Sequence, residues 1–390
     1  MIHLLLRTLQ TIAVLGCVSS SAYYLFCLWA AARFVRARKS PSTALPSHLL
    51  PGVTILKPLK GTDPEMYESF RSHCLQDYPE YEIIFGVSDP NDPAIAITES
   101  LEREFPDGAM RLMVCKDILG PNVKVSNLEQ MAQSARYQHF VVNDSDIRVE
   151  SDYLRRIVAP LVDPRVGLVT CLYRGMAAET LGSKLESLGI STDFSAGVLA
   201  AQRLERGLHF GLGSTLAFRK AELERIGGFK ALVDFLADDY ELGRRIRALG
   251  KEVVLSDVTV ETHLPEYTLS GFLQHQLRWF RGVRDARPRG YIGLVSTFGI
   301  MWGLLAVIFG GAAPWTWAVL GTVLLLRTVM AFVMCRTVLQ DEEGVESLWL
   351  VPIRDLIGVG VWIASFTGHT VTWRGDRFRL NQGRLTRFVS

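Results

Sequence analysis

Residues 140–149 read F-V-V-N-D-S-D-I-R-V, an apolar run that ends in two carboxylates two positions apart. Residues i and i+2 of an extended backbone project to the same side, so Asp144 and Asp146 can both offer oxygen to one hard cation, Mg2+ or Mn2+. A polar turn capping a helix at Ser151 or Asp152 would read the same way, so the pair needs company before it implies chemistry. Lys57 and Lys60 follow the apolar run 53–56, Asp89 and Asp92 follow 81–87, and Lys124 follows 111–115. Farther on, Asp238 and Asp239 open a helical pattern, where capping and the helix dipole suit an acid and so does general-base chemistry. His275-Gln276-Leu277-Arg278-Trp279 comes just before a long apolar stretch. An Arg-Trp pair there can anchor at a membrane interface or close over a pyrophosphate.

These residue types suit one kind of ligand. A cation and a lysine answer an anionic diphosphate, and a carboxylate or amide answers a uracil and a ribose. A carboxylate pair holding a divalent ion bridges the diphosphate and lets it leave. No G-x-G-x-x-G and no P-loop lysine motif occurs, which disfavours a dinucleotide site and an NTPase.

The elements that must position these groups alternate strand and helix between residues 51 and 257, the pattern of an α/β fold with a largely parallel sheet. Strands are expected at 53–56, 81–87, 111–115, 140–142, 166–171 and 251–255. Helices are expected at 64–75, 94–104, 125–136, 220–226, from Asp238 to Ala248, and from about Ser270. In such sheets ligands bind beyond the carboxyl ends of the strands, where Lys57, Lys60, Asp89, Asp92, Lys124, Asp144 and Asp146 all fall. Residues 183–208 form a long, weakly polar helical pattern that suits either a soluble core or a lipid-lined interface. The stretch 211–218, G-L-G-S-T-L-A-F, is small and flexible.

With 390 residues and 48% hydrophobic content, the chain is apolar for a soluble enzyme, and the excess lies at its two ends. Residues 8–32 carry no charge and are followed by Arg33, Arg36, Arg38 and Lys39. That is a membrane span with its cytoplasmic side marked, and the run is too long for a cleaved signal peptide. Residues 291–313 and 315–335 read as a helical hairpin around Ala312-Ala313-Pro314, interrupted only by Arg327. Residues 348–368, with Arg354 and Asp355, either span or re-enter, and the side of the basic tail depends on which. Because an unpaired charge in hydrocarbon is costly, Arg327 and Asp355 are expected to face the protein interior or its cytoplasmic rim, where they can pair with each other; the alternative is that each snorkels separately. The net charge of +2 is uninformative, and no basic run with interleaved aromatics points to nucleic acid as a partner. Six scattered cysteines without paired spacing read as free thiols in a reducing compartment. The resulting plan is an anchor over 1–39, a linker over 40–51, a catalytic domain over 52–290, membrane helices over 291–371 and a basic tail over 372–390.

Taken together, the sequence resembles processive-type family 2 glycosyltransferases and, more closely, the ceramide glucosyltransferase family (family 21). The likeness is carried by P-G-V-T-I-L-K-P-L-K-G (51–61), D-Y-P-E-Y-E-I (77–83), N-D-P-A-I (91–95), K-V-S-N-L (124–128) and D-S-D-I-R-V (144–149). It continues through V-G-L-V (166–169), A-D-D-Y (237–240), L-R-W (277–279) and T-W-R-G-D-R-F-R-L (372–380). The resemblance implies a GT-A fold, Rossmann-like with a mostly parallel sheet. It also implies a UDP-sugar donor, an inverting mechanism and a lipid hydroxyl acceptor at the cytoplasmic face of a membrane, in bacteria the inner membrane. By the family's pattern Asp92 binds the nucleotide, Asp144 lies in the metal and diphosphate motif and Asp239, next to Tyr240, is the general base. The donor residues expected are Lys57, Asp89, Asp92, Lys124, Asn127, Asp144, His275, Arg278 and Trp279, with Asp144 and Asp146 on Mn2+ or Mg2+. Two positions depart from the family: His275 stands where Gln or Arg opens the last motif, and the metal motif is a full Asp-Ser-Asp where animal ceramide enzymes have Asp-Ser-Gly. The chain also resembles the hopanoid-biosynthesis branch, which moves N-acetylglucosamine from UDP to bacteriohopanetetrol. A ceramide glucosyltransferase is the alternative, and a processive polysaccharide synthase or a non-catalytic nucleotide-sugar sensor are more distant readings.

Overall fold

The computed structural model of the chain describes residues 1–38, 46–373 and 376–387. Residues 40–45 of the expected linker and Arg374 of the T-W-R-G-D motif lie outside the described residues. The chain folds as two compact units. One comprises Met1–Lys39, Ala177–Ala200 and Glu266–Gly375; the other comprises Ser40–Met176, Ala201–Pro265 and Asp376–Ser390. This division cuts across the sequence-based domain plan, because residues 177–200 and 266–290 belong to the same unit as the apolar helices.

The second unit is built on eight strands: β1 (Val53–Pro58), β2 (Tyr81–Val87), β3 (Met110–Val114), β4 (His139–Val142), β5 (Ile147–Arg148), β6 (Val166–Met176), β7 (Leu216–Arg219) and β8 (Glu252–His263). Their order in the sheet is β3-β2-β1-β4-β7-β6-β8-β5. The side formed by β3, β2, β1 and β4 is parallel, as the continuous apolar runs predict for strands covered on both faces. Every residue of β1 is buried, and Phe140 of β4 meets Phe218 of β7 edge to face. The other side is mixed, because β7 runs antiparallel to both β4 and β6 and β5 antiparallel to β8. That reversal matters for the site, since it brings the start of β7 to the same edge as the end of β4. Strands β6 and β8 run five and eight residues past their expected ends, Cys171 and Leu255. They pair with each other along that length, so the ladder satisfies their backbones despite polar side chains.

Among the described residues of the first unit three helices are long and apolar enough to cross a membrane, Ile2–Arg38, Pro314–Leu339 and Leu348–Ser365. The expected first leg of the hairpin is not one straight helix. It is broken between Pro288–Thr297 and Gly299–Phe309, with a bend of 53°. The hydroxyl of Tyr24 explains how the break is tolerated: it donates to the carbonyl of Thr297 at 2.9 Å and accepts from the backbone N–H of Gly299 at 3.1 Å. Freed backbone groups in an apolar surrounding need such partners. Leu185, Leu188, Phe272, Ala331, Leu350 and Val351 form a shared apolar core. Beside it, buried Arg327 forms a two-pronged pair with Asp355, Nε to Oδ2 at 2.9 Å and Nη2 to Oδ1 at 2.8 Å, as expected. Removing one partner of a buried ion pair leaves an uncompensated charge and costs about 3–5 kcal/mol. Arg327→Leu should therefore lower the unfolding temperature in detergent more than Arg327→Leu combined with Asp355→Leu does, read by thermal denaturation of the two purified variants.

Candidate active site

The carboxyl edge of the sheet gathers the predicted groups of the second unit. Lys57 is the penultimate residue of β1 and is fully buried, with Nζ donating to the backbone carbonyl of Asp144 at 3.1 Å and lying over the Phe70 ring. Burial pushes its pKa down to about 7, against the pull of Asp146 and Asp144. Its role is thus to hold the backbone under the Asp-Ser-Asp turn. Asn127 is also buried, accepting from Ser88 at 2.8 Å, and so shapes the end of β2. Asp92 accepts from the backbone N–H groups of Gly61, at 3.0 and 3.1 Å to its two oxygens, and of Ala94 at 2.9 Å. It ties the loop after β1 to the start of the helix Ala94–Glu104. Asp89 is exposed and closes its own turn through the N–H of Asn91.

Lys124 stands at the centre. The helix that carries it, Val123–Ser134, begins two residues earlier than expected because Asn122 caps it, accepting from the N–H of Val125 at 3.2 Å. Lys124 Nζ lies 2.7 Å from Asp144 Oδ1 and 3.4 Å from Asp238 Oδ2. Burial opposes its charge, but Asp144 and Asp238 together raise its pKa, so it stays protonated. Asn122 also donates to the carbonyl of Phe235 at 2.8 Å and reaches Asp238. The C-terminal hairpin, Asp376–Asn381 and Arg384–Arg387, holds the same segment from elsewhere: Leu385 N–H donates to Asp234 and Leu236 N–H to Gly383.

Asp144 is half-exposed, and Asp146 receives the hydroxyl of Thr262 at 2.6 Å, a contact set by the pairing of β5 with β8. Burial and the neighbouring Asp144 push the Asp146 pKa up to about 6. Ser145 donates to Asp63. Among the described residues no group of three or more His, Cys, Asp or Glu side chains converges as a complete metal cage. Two carboxylates at an open edge nevertheless fit a magnesium-like ion, which takes one or two protein carboxylates and fills its other positions with substrate phosphate and water.

Asp238 and Asp239 open the helix Asp238–Ala248, and their roles separate in space. Asp238 is buried and committed to Lys124 and Asn122. Asp239 accepts from the N–H of Tyr240 through Oδ1 at 2.7 Å. Burial, and next the charge of Asp238, push its pKa up to about 6, while Lys124 pulls the other way. Its Oδ2 lies beside Gly213: a Cβ placed there would stand 3.2 Å from Asp239 Oδ2 and 3.1 Å from Asp144 Oδ2. The glycine therefore keeps open the space between the base candidate and the metal motif. Asn143 fixes this loop, its amide donating to Ser214 at 2.7 Å and to Tyr153 at 2.8 Å. Gly243 lets the helix of Asp239 approach, since a Cβ there would come within 2.2 Å of the backbone nitrogen of Gly211.

His275, Arg278 and Trp279 belong to the other unit, on the helix Leu269–Ala286. His275 stacks on Tyr267 and its Nδ1 lies 3.2 Å from Glu186, whose second oxygen accepts from Gln276. Trp279 meets Phe194 edge to face. Asn122, Asp63, Thr262 and Gly243 escaped the sequence reading, and Gly213 was marked only as part of the small, flexible stretch 211–218. Of the residues that escaped, only Asn122 carried a local signal, an Asn one residue ahead of a helical pattern.

The model of glycosyl transferase family 21 matches residues 12–386. Ceramide glucosyltransferase 3 of Caenorhabditis elegans is 24% identical over 357 residues, covering 86% of this chain and 74% of that protein. Ceramide glucosyltransferase of Komagataella phaffii is 41% identical over a shorter stretch of 114 residues, 28% of this chain and 22% of its own. Among solved structures, a mannosyltransferase from Pyrobaculum calidifontis in complex with GDP-Man and Mn2+ aligns with a TM-score of 0.53 at 20% identity, over 92% of this chain and 99% of that one. The fold is thus of the GT-A type, as the resemblance implied.

The geometry yields a test at its tightest point. Gly243→Ala must displace the helix start or the 210–211 backbone, and a shift of about 1 Å at a reacting group can cost about a hundredfold in rate. Gly243→Ala should remain folded by circular dichroism and lose turnover on that scale, whereas Gly250→Ala, with open space around it, should affect stability alone.

Proposed function

Because the chain belongs to glycosyl transferase family 21, we propose that it moves a hexose from a UDP-sugar to the hydroxyl of a membrane lipid, with Asp239 as general base. The observation that carries this reading is the convergence of Asp144 and Asp239 on the space that Gly213 leaves open, with Lys124 bridging Asp144 and Asp238. In the reaction, Asp239 takes the proton of the lipid hydroxyl as that oxygen attacks the anomeric carbon from the face opposite the diphosphate. The bond from the anomeric carbon to the diphosphate oxygen breaks, its electron pair stays on UDP, and the configuration inverts. Lys124, kept charged by its two carboxylates, faces the negative charge gathering on the leaving group. A divalent cation on Asp144 and Asp146 would neutralise the diphosphate as it departs. Asp92 and Asp89 frame the nucleotide side, Lys57 and Asn127 support the loops beneath it, and His275, Arg278 and Trp279 retain the donor role their motif implies.

The names of the relatives favour glucose and ceramide, and the resemblance to the hopanoid branch favours N-acetylglucosamine from UDP and bacteriohopanetetrol. Incubating membranes with both labelled donors and both lipids separates the two by which glycolipid forms on a thin-layer plate. A polymer ladder would instead identify a polysaccharide synthase.

Three outcomes are expected. EDTA should abolish transfer and Mn2+ or Mg2+ should restore it; full activity in a chelated enzyme with no metal left bound refutes the role of Asp144 and Asp146. Asp239→Asn should still bind the UDP-sugar yet lose about two or more orders of magnitude in turnover, with Asp238→Asn milder, measured as kcat with saturating donor. A base must be unprotonated to act, so with Asp239 pushed up to about 6 the rate should fall as pH drops through that value and level off above it. A pH–rate profile flat between pH 5 and 8, on the order of the window spanned by such a group, would assign the base elsewhere.

A further inference from the structure

In the membrane-type unit, the run Leu181–Gly189 passes through a π-helical turn, Ile190–Phe194, before continuing as Ser195–Leu204. Such turns inside a helix frequently mark function. Asp193 lies in this turn, and Arg327 Nη2 reaches its Oδ1 at 2.5 Å while Arg354 lies 3.8 Å from its Oδ2. Arg327 lies on the 26-residue apolar helix Pro314–Leu339, and Asp193 is held against that helix by it. The cluster differs from a plain structural staple in two respects. Asp355 alone already engages Arg327 with both oxygens, and its side chain is 12% exposed, yet Asp193 is added with 41% of its side chain exposed. Two guanidinium nitrogens within the buried set, Nη1 of Arg327 and Nε of Arg354, have no hydrogen-bond partner among the described residues.

An accessible carboxylate that accepts, beside buried N–H groups that donate, matches a ligand group able to do both. The two arginines face three carboxylates, Asp193, Asp355 and, through Gln276, Glu186, so the set has no excess positive charge for an anionic headgroup and suits a neutral ligand. Ionisable groups among apolar helices are kept for function when they are not fully paired. We propose that Asp193, backed by Arg327 and Arg354, is a binding site for the polar end of the acceptor lipid, accepting a hydrogen bond from its hydroxyl or amide. The proposal rests on the lipid-acceptor reading above and adds the residue that recognises the lipid. Phe194, the next residue, packs on Trp279, so the site adjoins the motif helix within the same unit.

The test uses the full-length enzyme in phosphatidylethanolamine vesicles containing either a ceramide or a polyhydroxylated hopanoid, with the acceptor KM, the donor KM and the thermal midpoint measured separately. Asp193→Asn should raise the acceptor KM about ten- to a hundredfold, the scale of one hydrogen bond to a charged group, while the donor KM stays within about twofold. Asp355→Asn, which strips Arg327 of its buried partner, should lower the thermal midpoint with little change in acceptor KM. An unchanged acceptor KM in Asp193→Asn, or an equal rise in Asp355→Asn, overturns the proposal. Should Asp193→Asn not fold, Asp193→Glu keeps the charge and moves it by one methylene; the same rise supports the site and an unchanged KM rejects it. If the unmodified enzyme binds UDP-sugar but glycosylates neither lipid, the lipid-acceptor reading falls and this site with it.

Discussion

The catalytic edge depends on one lysine surrounded by acids. Four carboxylates, Asp144, Asp146, Asp238 and Asp239, are drawn to the edge of one sheet, and their mutual repulsion grows as water is excluded. Lys124 relieves it by lying 2.7 Å from Asp144 and 3.4 Å from Asp238. It thereby joins the loop after β4 to the helix that carries Asp239. The effect on the two adjacent acids differs. Asp238 is consumed by the contact, whereas Asp239 keeps an oxygen turned towards the space above Gly213. A base and a partner for the lysine thus come from neighbouring residues with opposite assignments.

Neutral groups then stiffen what the lysine joins. The side chain of Asn122 caps the lysine's own helix and holds the carbonyl of Phe235, three residues before Asp238. Asn143 pins the loop before β7, and Lys57 holds the carbonyl of Asp144 from beneath. The C-terminal hairpin adds two backbone hydrogen bonds to the segment 234–236, so a basic tail that could have been a mere electrostatic anchor is part of the base's support. Each of these contacts satisfies a buried polar group that would otherwise cost free energy, and each also fixes a position.

The membrane-type unit obeys the same rule under harsher conditions. Arg327 is 2% exposed and is held by Asp355 and Asp193, while Glu186 engages His275 and Gln276. Where hydrocarbon is the surrounding, a charge persists only in such company. The break near Phe298 follows suit, with the Tyr24 hydroxyl standing in for the missing helical partners.

Much of this was legible in the chain itself. Continuous apolar runs and their polar ends identified β1, β2 and β4, and with them the edge where Asp92, Asp144 and Lys124 meet. The reason is that burial on both faces imposes a local composition on parallel strands. The pairing of Arg327 with Asp355 was one of two readings open to the sequence, because charges in apolar segments have few partners, and packing decided for it although Arg354 adjoins Asp355 in the chain. Other features were decided only by the tertiary structure. The reversal of β7 brings Gly213 between Asp144 and Asp239, and strand direction is a property of the sheet that no single strand encodes. Lys57 and Asn127 have the residue types of donor ligands and are buried among the loops of the edge, a matter of depth that spacing cannot express. Thr262 meets Asp146 through a ladder between residues far apart in sequence, and Asp193 meets Arg327 through helix packing. Local pattern determines which groups a segment carries, and long-range packing determines what each of them faces.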